Sequence, residues 1–166
     1  RGVQSGKIIQ STLTVIKIAS LFGLIIFGFV LMKGETWTAN WTNAWDMHSL
    51  AEDGTIQMYT TIAALGAVAA AMTGSVFSSD SWNNVTFIAG EMKNPQRNIG
   101  LSLFLGTAIV TLIYVSANVM YTAVLPLHDI AFADKDRVGV VASNVIFGSG
   151  GTAIIAIMIM ISTFGC

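Results

Sequence analysis

Ser75 to Asn98 reads SVFSSDSWNNVTFIAGEMKNPQRN. An apolar run enters this stretch and breaks at Ser78-Ser79-Asp80-Ser81, then resumes as a short helical piece from Trp82 to Gly90. It ends in a tight polar turn, Glu91 to Asn98, where Pro95 is expected to stop helix propagation. A polar break inside a membrane-length segment is expensive unless it is buried in protein or lines a cavity. An interrupted helix presents free N–H groups and the positive dipole end at the start of its second half. It presents free carbonyls at the end of its first half. A small zwitterion needs just these donors and acceptors, so the break is read as part of a substrate site. Discontinuous helices serve this purpose at the bilayer midplane.

Two charges fall within expected spans. All other Lys, Arg, Asp and Glu side chains lie in loops or at span ends. A charge at mid-bilayer depth is a functional candidate by default. Asp80 either caps the Trp82 helix by accepting backbone N–H bonds, or faces the cavity as a carboxylate that attracts an ammonium; one residue can do both. Lys17 lies about 15 Å into its span at about 1.5 Å per residue. It either snorkels to the near membrane surface or points into the bundle and ties its helix to the broken one.

The elements that must position these groups follow from hydropathy. The chain has 166 residues, 54% hydrophobic and 10% charged, with mean hydropathy +0.70. Soluble domains carry about 25% charged residues, so the fold class is all-α integral membrane. Four spans are expected: 8–32, 58–90 with a break near 78–81, 99–125 and 140–166. About 20 apolar residues cross the hydrocarbon core. Gly23 and Gly28 in the first span, and the Ala- and Gly-rich face of the second, suit close helix packing. The segment 33–57 reads as a polar loop. In it Trp37, Trp41 and Trp45 recur every four residues, which places them on one face of a short helix as an interfacial anchor. Arg1, Lys7, Lys93 and Arg97 fall on one side of the membrane, and Lys33, Lys135 and Arg137 on the other among seven acidic residues. This places the Arg1 end and the 91–98 turn in the cytoplasm, with the protein in the plasma (inner) membrane. The chain opens on Arg1 and closes on Ile-Ser-Thr-Phe-Gly-Cys166 within an apolar segment. Both ends read as cuts, and the remaining transmembrane helices of a longer chain are expected partners.

The stretch from Phe77 to Asn98 resembles the sixth-helix region of the L-type branch of the amino acid–polyamine–organocation superfamily. The matching residues are Phe77, Trp82-Asn83, Glu91 and Asn94-Pro95-Gln96-Arg97-Asn98. Thr14 to Gly28, with Lys17, resembles the fifth helix, and Ile161 to Gly165 the eighth. The resemblance implies a LeuT-type bundle of two inverted repeats, of which this chain is helices five to eight of about twelve. It implies a substrate site at Phe77, Ser78, Ser79, Asp80, Trp82 and Asn83. There the substrate amine meets backbone carbonyls near Phe77 and Asp80, Phe77 gates the bound amino acid, and Asn83 lies nearby. It implies that Lys17 occupies the place where sodium-coupled relatives hold sodium, with Ser162 and Thr163 in the same region. A sodium-independent exchanger or proton-linked carrier follows. Two departures stand out. Ser79-Asp80-Ser81 replace glycines common in the break, and Gly100 replaces a common proline.

The rival readings are a polyamine or organic cation carrier, which Asp80 favours, and a membrane scaffold or sensor of the same fold. An enzyme is not expected. His48 and His128 stand alone in loops, and neither serine of the break has a histidine partner in sequence for activation. No metal-ligand spacing, phosphate loop or other cofactor signature is present. The net charge of -1 leaves no basic face for nucleic acid.

Overall fold

The computed structural model describes residues 2–42, 44–78, 87, 90 and 94–164, with the backbone alone for residues 2–5, 7, 77 and 78. The chain divides into two compact units, Arg1–Ala44 with Val115–Cys166, and Trp45–Tyr114.

The larger unit starts with α1 (Gly2–Val30), whose 23-residue segment Ile8–Val30 is long and apolar enough to cross a bilayer. α2 (Gly34–Trp41) follows after three residues. Trp37 and Trp41 sit on it with ring centroids 5.1 Å apart. The expectation for Trp45 is corrected. The helix ends at Trp41 with Thr42 as its C-cap, and Trp45 lies beyond it, 89% exposed.

The last ten residues of α4 (Pro95–Val124) belong to this unit and carry much of its core: Ala117, Met120, Ala123 and Val124 are buried. Leu125 is buried behind them, and Pro126 prevents the helix from continuing. α5 (Leu127–Ala131), a 3-10 turn (Asp134–Asp136) and α6 (Val138–Phe147) follow. A second 3-10 turn (Gly148–Gly150) leads into α7 (Gly151–Phe164). α6 and α7 both pack on α1. Leu24 and Ile25 of α1 are buried, and Phe27 meets Phe147 edge to face at 5.7 Å.

The fourth span differs from expectation. By composition Val138–Phe164 is one 27-residue apolar stretch, and hydropathy alone does not see the corner inside it. Gly148 has φ +63°, which glycine adopts without strain. Beyond the corner the backbone of Gly151 lies against the Ser143 carbonyl. In a straight helix residues eight apart stand about 12 Å apart, so the chain folds back. The buried Ser143 Oγ donates to the Gly151 carbonyl at 2.8 Å, and Thr152 Oγ1 bonds to Asn144 Oδ1 at 2.9 Å.

Asn40 of α2 closes the other corner of this unit. Its Nδ2 donates to the Thr122 carbonyl at 2.8 Å and to the Leu125 carbonyl at 2.7 Å. Its Oδ1 accepts from the Leu127 N–H at 3.2 Å. One amide thus satisfies two carbonyls at the end of α4, where helix carbonyls lack partners, and an N–H at the start of α5.

In the smaller unit an antiparallel pair, β1 (His48–Leu50) and β2 (Ile56–Met58), pairs Leu50 with Ile56 and His48 with Met58. The expected polar loop therefore contains a hairpin. Ala51 to Gly54 form its turn, closed by Gly54 N–H donating to the Ala51 carbonyl, with Gly54 at φ +82°. The Thr55 N–H and hydroxyl both donate to Asp53 Oδ1, at 2.9 and 2.7 Å, and hold that carboxyl below the usual carboxylate range. α3 (Thr61–Ser78) is N-capped by Thr60, whose Oγ1 accepts from Ala63 N–H at 3.4 Å. Of the expected break at 78–81, Ser78 is still the last residue of α3, and Ser79, Asp80 and Ser81 lie outside the described residues.

The expected turn from Glu91 to Asn98 is corrected at its far end: Pro95 starts α4. The Asn94 carbonyl accepts from the N–H groups of Arg97 and Asn98 at 3.2 and 3.1 Å. Proline at the first helical position loses nothing, because its missing N–H would have had no intrahelical partner. The helix thus begins at 95 rather than 99.

Candidate functional site

Phe77 and Ser78 form the C-terminal end of α3 as described. Ser79, Asp80, Trp82 and Asn83 lie outside the described residues, as do Glu91 and Lys93. Of the motif, Asn94 to Asn98 is in view, as the start of α4.

Lys17 sits midway along α1 and is half-buried. Leu21, Leu24 and Gly28 follow it at spacings of four, three and four, the pattern of one helix face. Leu24 is buried and Gly28 packs on Met120 and Ile146. Lys17 therefore shares the stripe by which α1 packs, while Val15 and Ile26, on the opposite side, are 65% and 59% exposed.

Ser162 and Thr163 lie in the last turn of α7, Ser162 half-buried and Thr163 exposed. Thr163 Oγ1 bonds to the carbonyls of Ile159 and Met160 at 3.0 and 2.9 Å, within its own helix. This is the usual way a threonine hydroxyl is satisfied in an apolar helix. α7 leaves its corner beside the end of α1, where Phe147 touches Phe27, and packs on α1.

Sequence reasoning passed over three features. Asn40 stands in a polar segment with no local signal of its long-range role. The Ser143–Gly151 contact had only the run Gly148-Ser149-Gly150-Gly151 to announce it. The hairpin did carry a signal, Asp53-Gly54 between short apolar runs. Among the described residues no group of three or more His, Cys, Asp or Glu side chains could hold a metal ion.

Comparison with known proteins supplies the context. The family model described as amino acid permease matches residues 1–166. The chain is 28% identical to the serine/threonine exchanger SteT of Bacillus subtilis, over 99% of this chain and 33% of that protein. It is 28% identical to the human b(0,+)-type amino acid transporter 1, over 74% of this chain and 22% of that protein. It is 25% identical to the human large neutral amino acids transporter small subunit 2, over 95% of this chain and 27% of that protein. The chain thus spans about a third or less of the length of these curated relatives. No solved structure matches it.

Proposed function

Given that the chain belongs to the amino acid permease family, a family of all-helical, multi-pass membrane proteins, we propose that it forms part of a secondary carrier that moves amino acids across the membrane by alternating access. The observation that carries the reading is the polar Ser-Ser-Asp-Ser stretch that begins at the last residue of the apolar helix α3. The relatives are named as an exchanger and as amino acid transporters, which supports the same reading. In it the helix is interrupted at 78–81. Carbonyls near Phe77 and Asp80 receive the substrate ammonium, and Phe77 closes over it. Trp82 and Asn83 shape the far side. Lys17 supplies a fixed positive charge on the packed stripe of α1, near Ser162 and Thr163. A resident ammonium there stands in for a coupling sodium ion, so transport is sodium-independent exchange or proton-linked. The Arg1 end and the 91–98 segment, which holds the start of α4, face the cytoplasm.

The test is counterflow of labelled amino acids into proteoliposomes holding the full-length protein, with and without sodium and a pH gradient. Sodium-independent uptake is expected. If folded, inserted protein takes up no member of the panel, the carrier reading is wrong. In the same assay Lys17→Ala should slow exchange while leaving insertion intact; an unchanged rate across a pH series would remove Lys17 from the mechanism.

A second reading, a carrier for polyamines or other organic cations, is favoured by Asp80. If that carboxylate meets a cationic side chain, Asp80→Asn should lower uptake of cationic substrates about tenfold, the worth of one charge-assisted hydrogen bond. Neutral amino acids should lose no more than about twofold. Equal losses would assign Asp80 to capping the following helix.

A further inference from the structure

We propose that the hairpin of β1 and β2 is a lipid-interface anchor, lying on the bilayer surface by the face that carries Leu50, Ile56 and Met58. The inference needs only that α3 enters the membrane, and it stands whether or not the carrier reading does. The ladder pairs His48 with Met58 and Leu50 with Ile56, and Tyr59 N–H extends it by donating to the Met47 carbonyl at 3.1 Å. Successive side chains of a strand point to opposite faces, and directly paired residues share a face. One face therefore presents Leu50, Ile56 and Met58, with His48 at its edge. The His48 Nδ1 is satisfied locally, 2.6 Å from the Asp46 carbonyl. The other face presents Ser49 and Gln57, where Ser49 Oγ donates to the Gln57 carbonyl at 3.4 Å.

Ile56 and Met58 are 61% and 66% exposed. A two-stranded hairpin is marginal by itself in water, so this face calls for a cover, and its place in the chain decides which. Met58 stands three residues before Thr61, where the apolar helix α3 begins, and so at most about 11 Å from it at about 3.6 Å per residue. Trp45 and Tyr59 flank the strands, and such amphipathic rings favour the membrane–water boundary. The charged residues of the hairpin, Glu52 and Asp53, are confined to the turn at its far end. The hairpin cannot sink into hydrocarbon, because both outer edges of a two-stranded sheet carry N–H and C=O groups that would go unpaired there. At the interface water still reaches those edges. No Lys or Arg lies between residues 34 and 92, so the attraction is apolar and does not depend on anionic headgroups.

The experiment uses Ile56→Cys, Gln57→Cys and Met58→Cys in the full-length protein, each labelled with the dye NBD and reconstituted in phosphatidylcholine vesicles. Iodide quenches dye in water, and a nitroxide near the head of the lipid acyl chain quenches dye in the interface. Labels at 56 and 58 should be quenched by the lipid nitroxide about twofold more than the label at 57, and by iodide about twofold less, as for a face set roughly 5–10 Å into the headgroup boundary. Asp53→Cys, in the turn, is the water-exposed reference. Leu50→Cys against Ser49→Cys repeats the comparison on the first strand, so a label that blocks insertion at one site leaves the alternation readable at another. Equal quenching at 56, 57 and 58 would overturn the proposal. So would shielding of 56 and 58 from both quenchers, which would put protein on this face, either another helix of the longer chain or a partner subunit. Lipid quenching that appears only when anionic phosphatidylglycerol is added would overturn it as well.

Discussion

Gly151→Ala is expected to destabilise the full-length protein by about 3 kcal/mol, the upper part of the range for forcing a methyl group into a packed site. The reason is the identity of what the new Cβ would meet. It would fall on the carbonyl carbon and oxygen of Ser143 and the amide nitrogen of Asn144, closer than real Cβ atoms come. These are backbone atoms of α6, and Ser143 is fully buried, so no side chain can swing aside. Relief requires α6 and α7 to separate, which also breaks the 2.8 Å bond from Ser143 Oγ to the Gly151 carbonyl. The neighbouring Gly150 is a built-in control, because a Cβ there meets nothing within 4 Å. Gly150→Ala should change stability by no more than about 0.5 kcal/mol, as surface substitutions usually do. Thermal unfolding of the solubilised protein measures both. Equal shifts for the two variants would mean that the α6–α7 corner is not closed as described.

The second large effect is at Gly28, where α1 meets α4 and α6. A Cβ at Gly28 would overlap the Cγ and Sδ of Met120 and press on Ile146. Methionine is flexible and can often yield, but Met120 is completely buried, so it can yield only by displacing its neighbours or filling a void. Gly28→Ala should therefore cost about 2 kcal/mol. Met120→Ala alone should cost about 3 kcal/mol through the cavity it leaves. The double variant is the decisive measurement. The methyl at 28 then enters the space vacated at 120, so the combined loss should fall short of the sum by about 1 kcal/mol or more. Simple additivity would show that the two residues do not touch. Gly23, whose Cβ would stand in open space, should accept alanine with little change, although it lies on the same helix and reads alike in sequence.

Much of the architecture is legible in the chain because its causes are local. A span announces itself by some twenty apolar residues in a row, since every backbone polar group in hydrocarbon must be satisfied within the helix. α1 and α4 were readable on that ground, and Lys17 stood out in α1 because a charge within such a run is rare. Where the reading erred, two local signals competed. Pro95 can close one segment and begin the next helix, and the hydrogen bonds to the Asn94 carbonyl show that α4 takes in 95–98, which the sequence alone reads as part of the turn. The spacing of Trp37, Trp41 and Trp45 suits one helical face, yet the helix ends at Trp41, so the third tryptophan leaves that face.

The candidate site was legible in kind. A polar stretch at the end of an apolar helix, followed by Trp82-Asn83 and Asn94-Pro95-Gln96-Arg97-Asn98, points to the family that the chain's comparison with known proteins shows. The sequence by itself therefore determined the membrane class and the family, because composition and short motifs are properties of neighbours along the chain. Tertiary structure alone decided which glycine is indispensable, which face of α1 carries Lys17, and what Asn40 holds together. Gly150 and Gly151 are adjacent and identical in type, yet only one has a carbonyl eight residues away against its Cα. Asn40 and Leu125 are 85 residues apart. Contacts of that kind form only once the helices have packed, and no local preference encodes them.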